Sequence, residues 1–281
     1  MKAMEKMTRK VWKIRDRELE LGKRTYVMGI LNVTPDSFSD GGRYLDPGAA
    51  EEQAMRLAAD GVDILDVGGQ STRPGHTPIP ADQEWDRLEP VLHRLMQKMS
   101  IPVSVDTYYP YVAARCLDLG VQIINDVGGA VDEEMARLVK KSGAGWVVMH
   151  AAGLPADADA PQAVHGWFKQ AAARAAAIGV LPGQLCFDPG VGFGKTLEQN
   201  YQLIHRTAGT RLPDYAYLLG ASRKRCIGAP AGDPPFDKRD SGTAAAHTFG
   251  ILGGADIVRS HDGFGAVQAA RVADAILREG L

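Results

Sequence analysis

Short apolar runs alternate with longer stretches of helical spacing along most of the chain. The runs are rich in Val, Ile, Leu and aromatic residues and are nearly continuous, which is typical of strands buried on both faces of a parallel sheet. Eight such strands are predicted, each followed by a helix, at residues 25–31, 62–67, 101–105, 121–125, 145–149, 184–188, 215–220 and 255–259. Eight consecutive β-α units predict an α/β fold, a closed (β/α)8 TIM barrel, as a single domain over residues 1–281.

The segment before the first unit has a different pattern. Between residues 9 and 24, Trp12 and Ile14 and then Leu19 and Leu21 alternate with polar neighbours. Strict alternation of this kind is typical of half-buried strands. We therefore expect a short β-hairpin that covers one end of the barrel.

Composition and charge narrow the kinds of partner. The 281 residues are 45% hydrophobic and 23% charged, as expected for a globular protein with a sizeable core. Thirty-two basic residues against 34 acidic ones give a net charge of -2, so we expect small-molecule substrates rather than nucleic acid or a membrane surface. The polar N-terminal segment lacks the apolar core of an export signal, which predicts a cytoplasmic protein. Cys116, Cys186 and Cys226 lie among apolar or small residues and are interpreted as packing thiols.

Polar residues occur where each predicted strand ends. In a parallel barrel these C-terminal ends meet at one face, where the following loops form the active site. Two glycine-rich loops, 32–42 and 68–75, follow the first two strands. Later strands end in Asp106, Asn125, His150, Asp188, Ser222–Lys224 and Arg259–His261. Each residue alone is also explained as a helix cap, a turn, a core histidine or a solvated charge run. Their convergence at one face favours a binding site.

Familiar motifs of covalent catalysis do not occur in the sequence. The stretch 190–196 resembles a phosphate loop, but the required first glycine is Pro189. The remaining groups suit a flat heterocycle beside an anion. Asp188 can accept two N–H bonds from such a ring, while Lys224, Arg259 and His261 can meet phosphate oxygens. The amide oxygen of Asn32 suits Mg²⁺ shared with a diphosphate.

The chain from about Thr25 onwards resembles the dihydropteroate synthases, the folate-pathway enzymes that sulfonamides inhibit. The segments that carry the resemblance occur in the expected order: MGILNVTPDSFSDGG from Met28, STRPG from Ser71, SVDT from Ser104, IINDV from Ile123, MH at Met149, FDPGVGFGKT from Phe187, SRK from Ser222, and Arg259 with His261. The resemblance implies a TIM-barrel homodimer that condenses 6-hydroxymethyl-7,8-dihydropterin diphosphate with 4-aminobenzoate. Pyrophosphate leaves, and Mg²⁺ is the expected cofactor.

The resemblance also implies residue roles. The pterin would be held by Asp106, Asn125, Asp188 and Lys224. The diphosphate would be bound by Asn32, Arg73, Arg259 and His261, with Asn32 as the metal ligand. The 4-aminobenzoate site would be bordered by Thr72, Pro74, Phe193 and Ser222, beside Lys224. The catalytic set would be Asp40, Thr72, Arg73 and Lys224.

The implied mechanism needs no covalent nucleophile. The carbon–oxygen bond to the diphosphate would weaken first, the first two loops would close to exclude water, and the aromatic amine would then attack. Two residues depart from the family's usual pattern. Gln70 stands where glutamate is usual, and Tyr109 stands where lysine commonly precedes proline. We expect these departures to affect the behaviour of the loops and the catalytic rate rather than the type of reaction.

Two alternative functions remain at this point. A pterin-dependent methyltransferase linked to a corrinoid protein would share the barrel and the pterin pocket, although it would not need the residues expected at the diphosphate. A non-catalytic pterin-binding paralogue would be favoured by Gln70 and Tyr109. Methyl transfer without diphosphate release would identify the first, and failure to complement a strain that lacks the synthase would identify the second.

Overall fold

Eight parallel strands close into a barrel in the computed structural model of the chain, which describes residues 10–34, 46–71 and 77–278. A separate two-stranded antiparallel sheet precedes the barrel. The strands are β1 Val11–Ile14, β2 Arg17–Glu20, β3 Tyr26–Asn32, β4 Ile64–Gly68, β5 Val103–Asp106, β6 Ile123–Asp126, β7 Gly145–Met149, β8 Leu185–Asp188, β9 Ala216–Leu219 and β10 Ile257–Ser260. The barrel runs from β3 to β10 in chain order and closes through β10 and β3. The predicted α/β barrel is confirmed.

Helices connect successive barrel strands. They are α1 Pro47–Ala59, α2 Ala81–Lys98, α3 Pro110–Asp118, α4 Glu133–Ser142, α5 Ala160–Ile178, α6 Leu197–His205, α7 Thr207–Thr210, α8 Arg225–Gly228, α9 Asp240–Leu252 and α10 Gly263–Leu277. Several begin at the aspartate or threonine that the sequence offers as a cap: Asp132 accepts a hydrogen bond from the N–H of Met135, and Thr196 one from that of Gln199. Each predicted barrel strand begins and ends within two residues of the observed strand.

Alternation along the strands divides the core into two parts. Side chains that point outward pack against the helices and form the larger apolar cluster. Side chains that point inward form a second cluster, here called the inner cluster, of Trp12, Ile14, Leu21, Tyr26, Met28, Ile64, Ile123, Val147, Cys186, Ala216, Leu218 and Ile257. Because side chains on a strand alternate with a period of two, the residue two positions further along also points into the barrel.

The hairpin completes the inner cluster from the N-terminal end. Trp12 and Ile14 are fully buried, and the indole Nε1 of Trp12 donates a hydrogen bond to the carbonyl oxygen of Gln184 at 2.9 Å. Gly145 begins β7 directly beneath them, and a Cβ at this position would lie 2.6 Å from Ile14 Cγ2. The predicted hairpin and its position across one end of the barrel are therefore confirmed.

Other expectations from the sequence concern the whole chain. Cys116, Cys186 and Cys226 are free and buried, as expected for packing thiols. Within residues 10–34, 46–71 and 77–278, no helix is long and apolar enough to cross a membrane. The division into domains is not decided by the barrel alone, so a single domain over residues 1–281 stays a prediction.

Candidate active site

On five of the eight barrel strands the inward-facing residue above the inner cluster is polar. On β4, β6, β8 and β10, moving two residues beyond Ile64, Ile123, Cys186 and Ile257 gives Asp66, Asn125, Asp188 and Arg259, and β5 contributes Asp106. We call these five side chains the polar layer. Strand alternation thus places three of the four predicted pterin residues, Asp106, Asn125 and Asp188, side by side at the C-terminal end of the barrel.

Arg259 links two carboxylates across the polar layer. Its Nε donates to Asp66 Oδ2 at 2.6 Å, and its Nη2 donates to Asp106 Oδ2 at 2.8 Å. Asn125 Nδ2 also donates to Asp66 Oδ2, at 3.0 Å. The last strand of the barrel, β10, is therefore joined to β4 and β5 by one guanidinium.

A single guanidinium cannot neutralise two buried carboxylates. Burial raises the pKa of Asp106 to about 7, against the opposing effect of Arg259. Burial by itself would lower the pKa of Arg259, but Asp66 and Asp106 together raise it. The Oδ1 atoms of both aspartates are buried and have no hydrogen-bond partner among the described residues. The layer therefore presents acceptor atoms that a ligand with N–H groups could satisfy.

Asp188 is the second acceptor of the site. Its Oδ1 accepts a hydrogen bond from the N–H of Gly190 at 2.7 Å, and its Oδ2 faces Gly220, where a Cβ would lie 3.4 Å away. Burial raises the pKa of Asp188, while the nearby Lys224 opposes that shift. The glycine leaves this carboxylate edge open on one side.

Lys224 lies between Asp188 and an aromatic ring. Its Nζ donates to the carbonyl oxygen of Val191 at 2.5 Å and lies 4.7 Å from the centroid of the Phe193 ring. Burial lowers the pKa of Lys224 to about 8, although Asp188 acts in the opposite direction. A cation and a ring face thus border the same space.

The loop between β8 and α6 is rigidly held. Lys195 Nζ donates to the carbonyl oxygens of His150 and Phe193, at 2.9 and 3.0 Å. Gly190 has φ +68°, and a Cβ there would lie 2.1 Å from the carbonyl oxygen of His150, so glycine is required. The position of Phe193 is therefore set by contacts with β7 as well as by its own loop.

The three consecutive cations after β9 have different environments. Arg223, at φ +57°, makes two hydrogen bonds to the carboxylate of Asp240 at 2.6 and 2.7 Å. Lys224 points into the site, and Arg225 is exposed. Interpretation of the three as one solvated charge run is therefore wrong for Arg223 and Lys224.

Two further predicted residues meet at the rim. Ser222 Oγ and His261 Nδ1 are 2.9 Å apart, and the backbone N–H of His261 donates to the same Oγ at 3.1 Å. Asn32, half-buried at the end of β3, has its Oδ1 beside Gly68 and within the same mouth of the barrel as Asp106. Diphosphate and aminobenzoate residues predicted from different strands thus lie around one opening.

Comparisons with known proteins decide the family. The pterin binding enzyme model matches residues 28–261. A dihydropteroate synthase of Synechocystis is 40% identical over 265 residues, which cover 92% of each chain. The Clostridium difficile dihydropteroate synthase, solved in the presence of pteroic acid, has a TM-score of 0.87 at 43% identity and covers 92% of this chain and 98% of that one. The Xanthomonas albilineans enzyme with 4-aminobenzoic acid has a TM-score of 0.90 at 37% identity, over 96% and 98%.

This chain belongs to the dihydropteroate synthase family. Members of that family are transferases of folate biosynthesis, and the chain is an enzyme of this class. The named relatives favour this activity over corrinoid-dependent methyl transfer and over a non-catalytic pterin-binding role.

Asp66 is a residue of this dihydropteroate synthase site that the sequence analysis missed. It is fully buried and accepts hydrogen bonds from both Arg259 and Asn125. The signal was present, because two aspartates, Asp63 and Asp66, interrupt the otherwise apolar run 62–67, and Asp66 is the one that shares a face with Ile64. His150 is buried with its ring edge-on to Trp167, at 5.1 Å between centroids, so the packing interpretation describes it better.

Part of the predicted dihydropteroate synthase site lies outside the described residues. Asp40, Thr72, Arg73 and Pro74 are there, with most of the two loops expected to close. Their roles stay predictions. The described part of the site consists of the polar layer, Asn32, Phe193, Ser222, Lys224 and His261.

Proposed function

We propose that the chain condenses 6-hydroxymethyl-7,8-dihydropterin diphosphate with 4-aminobenzoate to form 7,8-dihydropteroate and pyrophosphate. The observation that carries the proposal is the polar layer, in which buried acceptors stand beside cations at the mouth of a barrel. A pterin has an edge of N–H donors that fits the acceptors, and its diphosphate fits the cations. One related enzyme was solved in the presence of pteroic acid, which contains both the pterin and the aminobenzoate part of this product. Another was solved with 4-aminobenzoic acid, which is one of these two parts.

The pterin is assigned to Asp106, Asn125, Asp188 and Lys224. Asp188 offers an open carboxylate edge that can accept two N–H bonds, and Asp106 Oδ1 is an acceptor that still lacks a partner among the described residues. Charge-assisted bonds of this type are strong and selective in direction. Lys224 can donate to a ring acceptor from the opposite side.

The diphosphate is assigned to Asn32, Arg259 and His261, together with Arg73 from outside the described residues. Among the described residues no group of three or more His, Cys, Asp or Glu side chains could hold a metal ion. Mg²⁺ can still fit, because it usually keeps several waters and takes few protein ligands beside substrate phosphates. The amide oxygen of Asn32 would hold it, and the bound ion would help to neutralise the charge of the departing diphosphate.

The 4-aminobenzoate is assigned to the rim formed by Phe193 and Ser222, with Thr72 and Pro74 outside the described residues. The Phe193 ring can lie against the benzoate ring, and Lys224 beside it supplies a positive charge. The fixed loop between β8 and α6 keeps this surface in place before the substrate arrives.

The reaction follows from these positions. Arg259, Lys224 and His261 favour departure of the diphosphate as the carbon–oxygen bond breaks, and the carboxylates of Asp106 and Asp188 stabilise positive charge that spreads over the pterin. The amine nitrogen then forms the new bond to the same carbon and loses a proton. Holding the two rings in line supplies the orientation that a weak aromatic nucleophile needs.

We further propose a homodimer that forms through α9 and α10. These two helices pack against each other and carry six of the ten exposed large apolar side chains of the described residues: Phe249, Leu252, Phe264, Val272, Ile276 and Leu277. A concentration of exposed apolar side chains on two packed helices is typical of a protein interface. Sedimentation of wild type and of an Ile276→Glu, Phe249→Glu variant tests it, with a monomeric variant as the expected result. The cytoplasmic location stays a prediction.

Pyrophosphate release with and without 4-aminobenzoate tests the activity. We expect release that depends on both substrates and on Mg²⁺, and formation of 7,8-dihydropteroate in equal amount. The Asp188→Asn enzyme, in which pterin binding should be weakened, serves as the low-activity control. Release in the absence of 4-aminobenzoate, or none with both substrates, would contradict the proposal.

A further inference from the structure

Glu84 is a buried acid that the reaction described above does not use. It lies in the first turn of α2 and is fully buried, outside the polar layer. Its Oε2 accepts a hydrogen bond from Thr107 Oγ1 at 3.0 Å, and the same Oγ1 accepts one from the N–H of Tyr109 at 3.2 Å. Thr107 directly follows Asp106, so Glu84 braces the strand end that presents a pterin carboxylate.

The same face of α2, one turn further along, also holds the residues that lead into the second loop. Arg87 Nη1 donates to the carbonyl oxygen of Gly69 at 3.0 Å, and a Cβ on Gly69 would lie 3.1 Å from Glu84 Cγ. Gln70 is buried beside Glu84, and its Oε1 accepts a long hydrogen bond from Tyr108 at 3.4 Å. The end of β5 and the residues after β4 therefore share one support.

The two polar side-chain atoms that lack a hydrogen bond at this contact, among the described residues, are complementary. Gln70 Nε2 is a buried donor and Glu84 Oε1 a buried acceptor, and neither has a formed hydrogen bond among the described residues. Burial raises the pKa of Glu84 to about 7, while Thr107 and Gln70 both act to lower it. An amide that faces a carboxylate is attractive, whereas two carboxylates in this dry space would repel each other. Gln70 and Tyr109, the two departures from the family's usual residues, both lie here.

We propose that Glu84 and Gln70 form a positioning pair for the synthase reaction. Neither residue lies in the polar layer. The pair fixes the spacing between the residues that enter the second loop and the strand end that carries Asp106, and Thr107 transmits this constraint from Glu84. In this chain the required feature is one carboxylate and one amide, in either order.

The charged surroundings of the pair set its pH dependence. Arg87 favours the ionised form of Glu84. The Glu84 carboxylate in turn acts to raise the pKa values of Asp106, Tyr108 and Cys116. A second acid at position 70 would compete with Glu84 for the Arg87 charge. One of the two acids would then hold a proton well above its usual pH range.

The test exchanges the two side chains. Gln70→Glu and Glu84→Gln are each expected to lower kcat about tenfold at pH 8 by displacing the reacting groups, with a smaller change in the pterin KM. The double variant Gln70→Glu, Glu84→Gln is expected to recover most of wild-type kcat. Gln70→Glu should also recover as the pH falls to 6, because one of its two acids becomes protonated. Pterin affinity by calorimetry and the melting temperature are measured on every variant.

A matched pair at Thr107 separates positioning from general packing. Thr107→Val removes the hydroxyl at nearly constant volume and should reproduce the kcat loss of Glu84→Gln. Thr107→Ser keeps the hydroxyl and should retain a kcat close to that of wild type. If Gln70→Glu does not fold, this pair decides the question. Wild-type kcat in Thr107→Val, or a double exchange as slow as the product of the two single effects, would overturn the proposal.

Discussion

The two ends of the barrel differ although the same strands build both. At the N-terminal end, inward-facing residues such as Ile64, Ile123 and Ile257 form an apolar plug with Trp12 and Ile14 of the hairpin. Two residues further along, the same strands supply the polar layer, in which acceptor atoms lack partners among the described residues. One end is saturated with contacts, and the other is arranged for a ligand.

This difference separates stability from function along each strand. Buried charges at the C-terminal end cost free energy, and the shift of the pKa of Asp106 to about 7 by burial is a direct sign of that cost. The inner cluster and the outward-facing core offset it. Changes at the apolar end should therefore affect folding, and changes in the polar layer should affect ligands.

The largest expected effect is at the apolar end. Trp12→Ala empties the centre of the plug and removes the hydrogen bond to Gln184, so we expect the free energy of unfolding to fall by roughly 3 to 5 kcal/mol. Urea denaturation measures the loss. Leu181→Ala, at an exposed position, should change it by less than about 0.5 kcal/mol. If Trp12→Ala weakens pterin binding while the protein remains folded, the two ends are not independent.

The next effect is at the polar layer. Asp188→Asn removes a charged acceptor for the pterin, which should cost roughly 1.5 to 3 kcal/mol of binding, or about ten- to 150-fold in Kd by calorimetry. Stability should change little, because the amide oxygen can still accept from the N–H of Gly190. Asp126→Asn is the matched control, since that side chain binds Trp146 and Gly128 instead. Unchanged pterin affinity in Asp188→Asn would refute the assignment.

Lys224 makes the function of this end depend on pH. Burial lowers its pKa to about 8, so its positive charge is lost as the pH rises through that value. We expect kcat/KM to fall about tenfold by pH 9 relative to pH 7, since roughly one-tenth of the lysine then remains charged. Lys224→Arg should retain its charge and move the alkaline decline to higher pH. The same decline in both enzymes would assign it to another group.

The sequence revealed more of the apolar pattern than of the contacts in the polar layer. Strand periodicity predicts which residues point inward, and the resemblance directed attention to Asp106, Asn125, Asp188 and Lys224. It did not reveal Asp66, because the run 62–67 contains two aspartates, Asp63 and Asp66, and the groups that Asp66 contacts across the barrel are not visible in the sequence. Nor does a run of three cations show which one is taken up by Asp240. Such pairings depend on strands that closure of the barrel brings together.

The smallest expected effect is on stability at the polar layer. Because the pKa of Asp106 is raised by burial to about 7 in the folded protein, well above its unfolded value, the folded state retains a proton that the unfolded state has lost. Its contribution to stability is present at low pH and disappears as the pH rises through about 7. From pH 6 to pH 8, wild type should therefore lose about 1 kcal/mol relative to Asp106→Asn, whose side chain does not titrate. Urea denaturation of both proteins across this range measures the difference, in which titration of groups common to both proteins, including Glu84 and Asp126, largely cancels. Parallel stability curves would show that the Arg259 guanidinium keeps Asp106 ionised throughout, and the polar layer would then carry less strain than the apolar end has to offset.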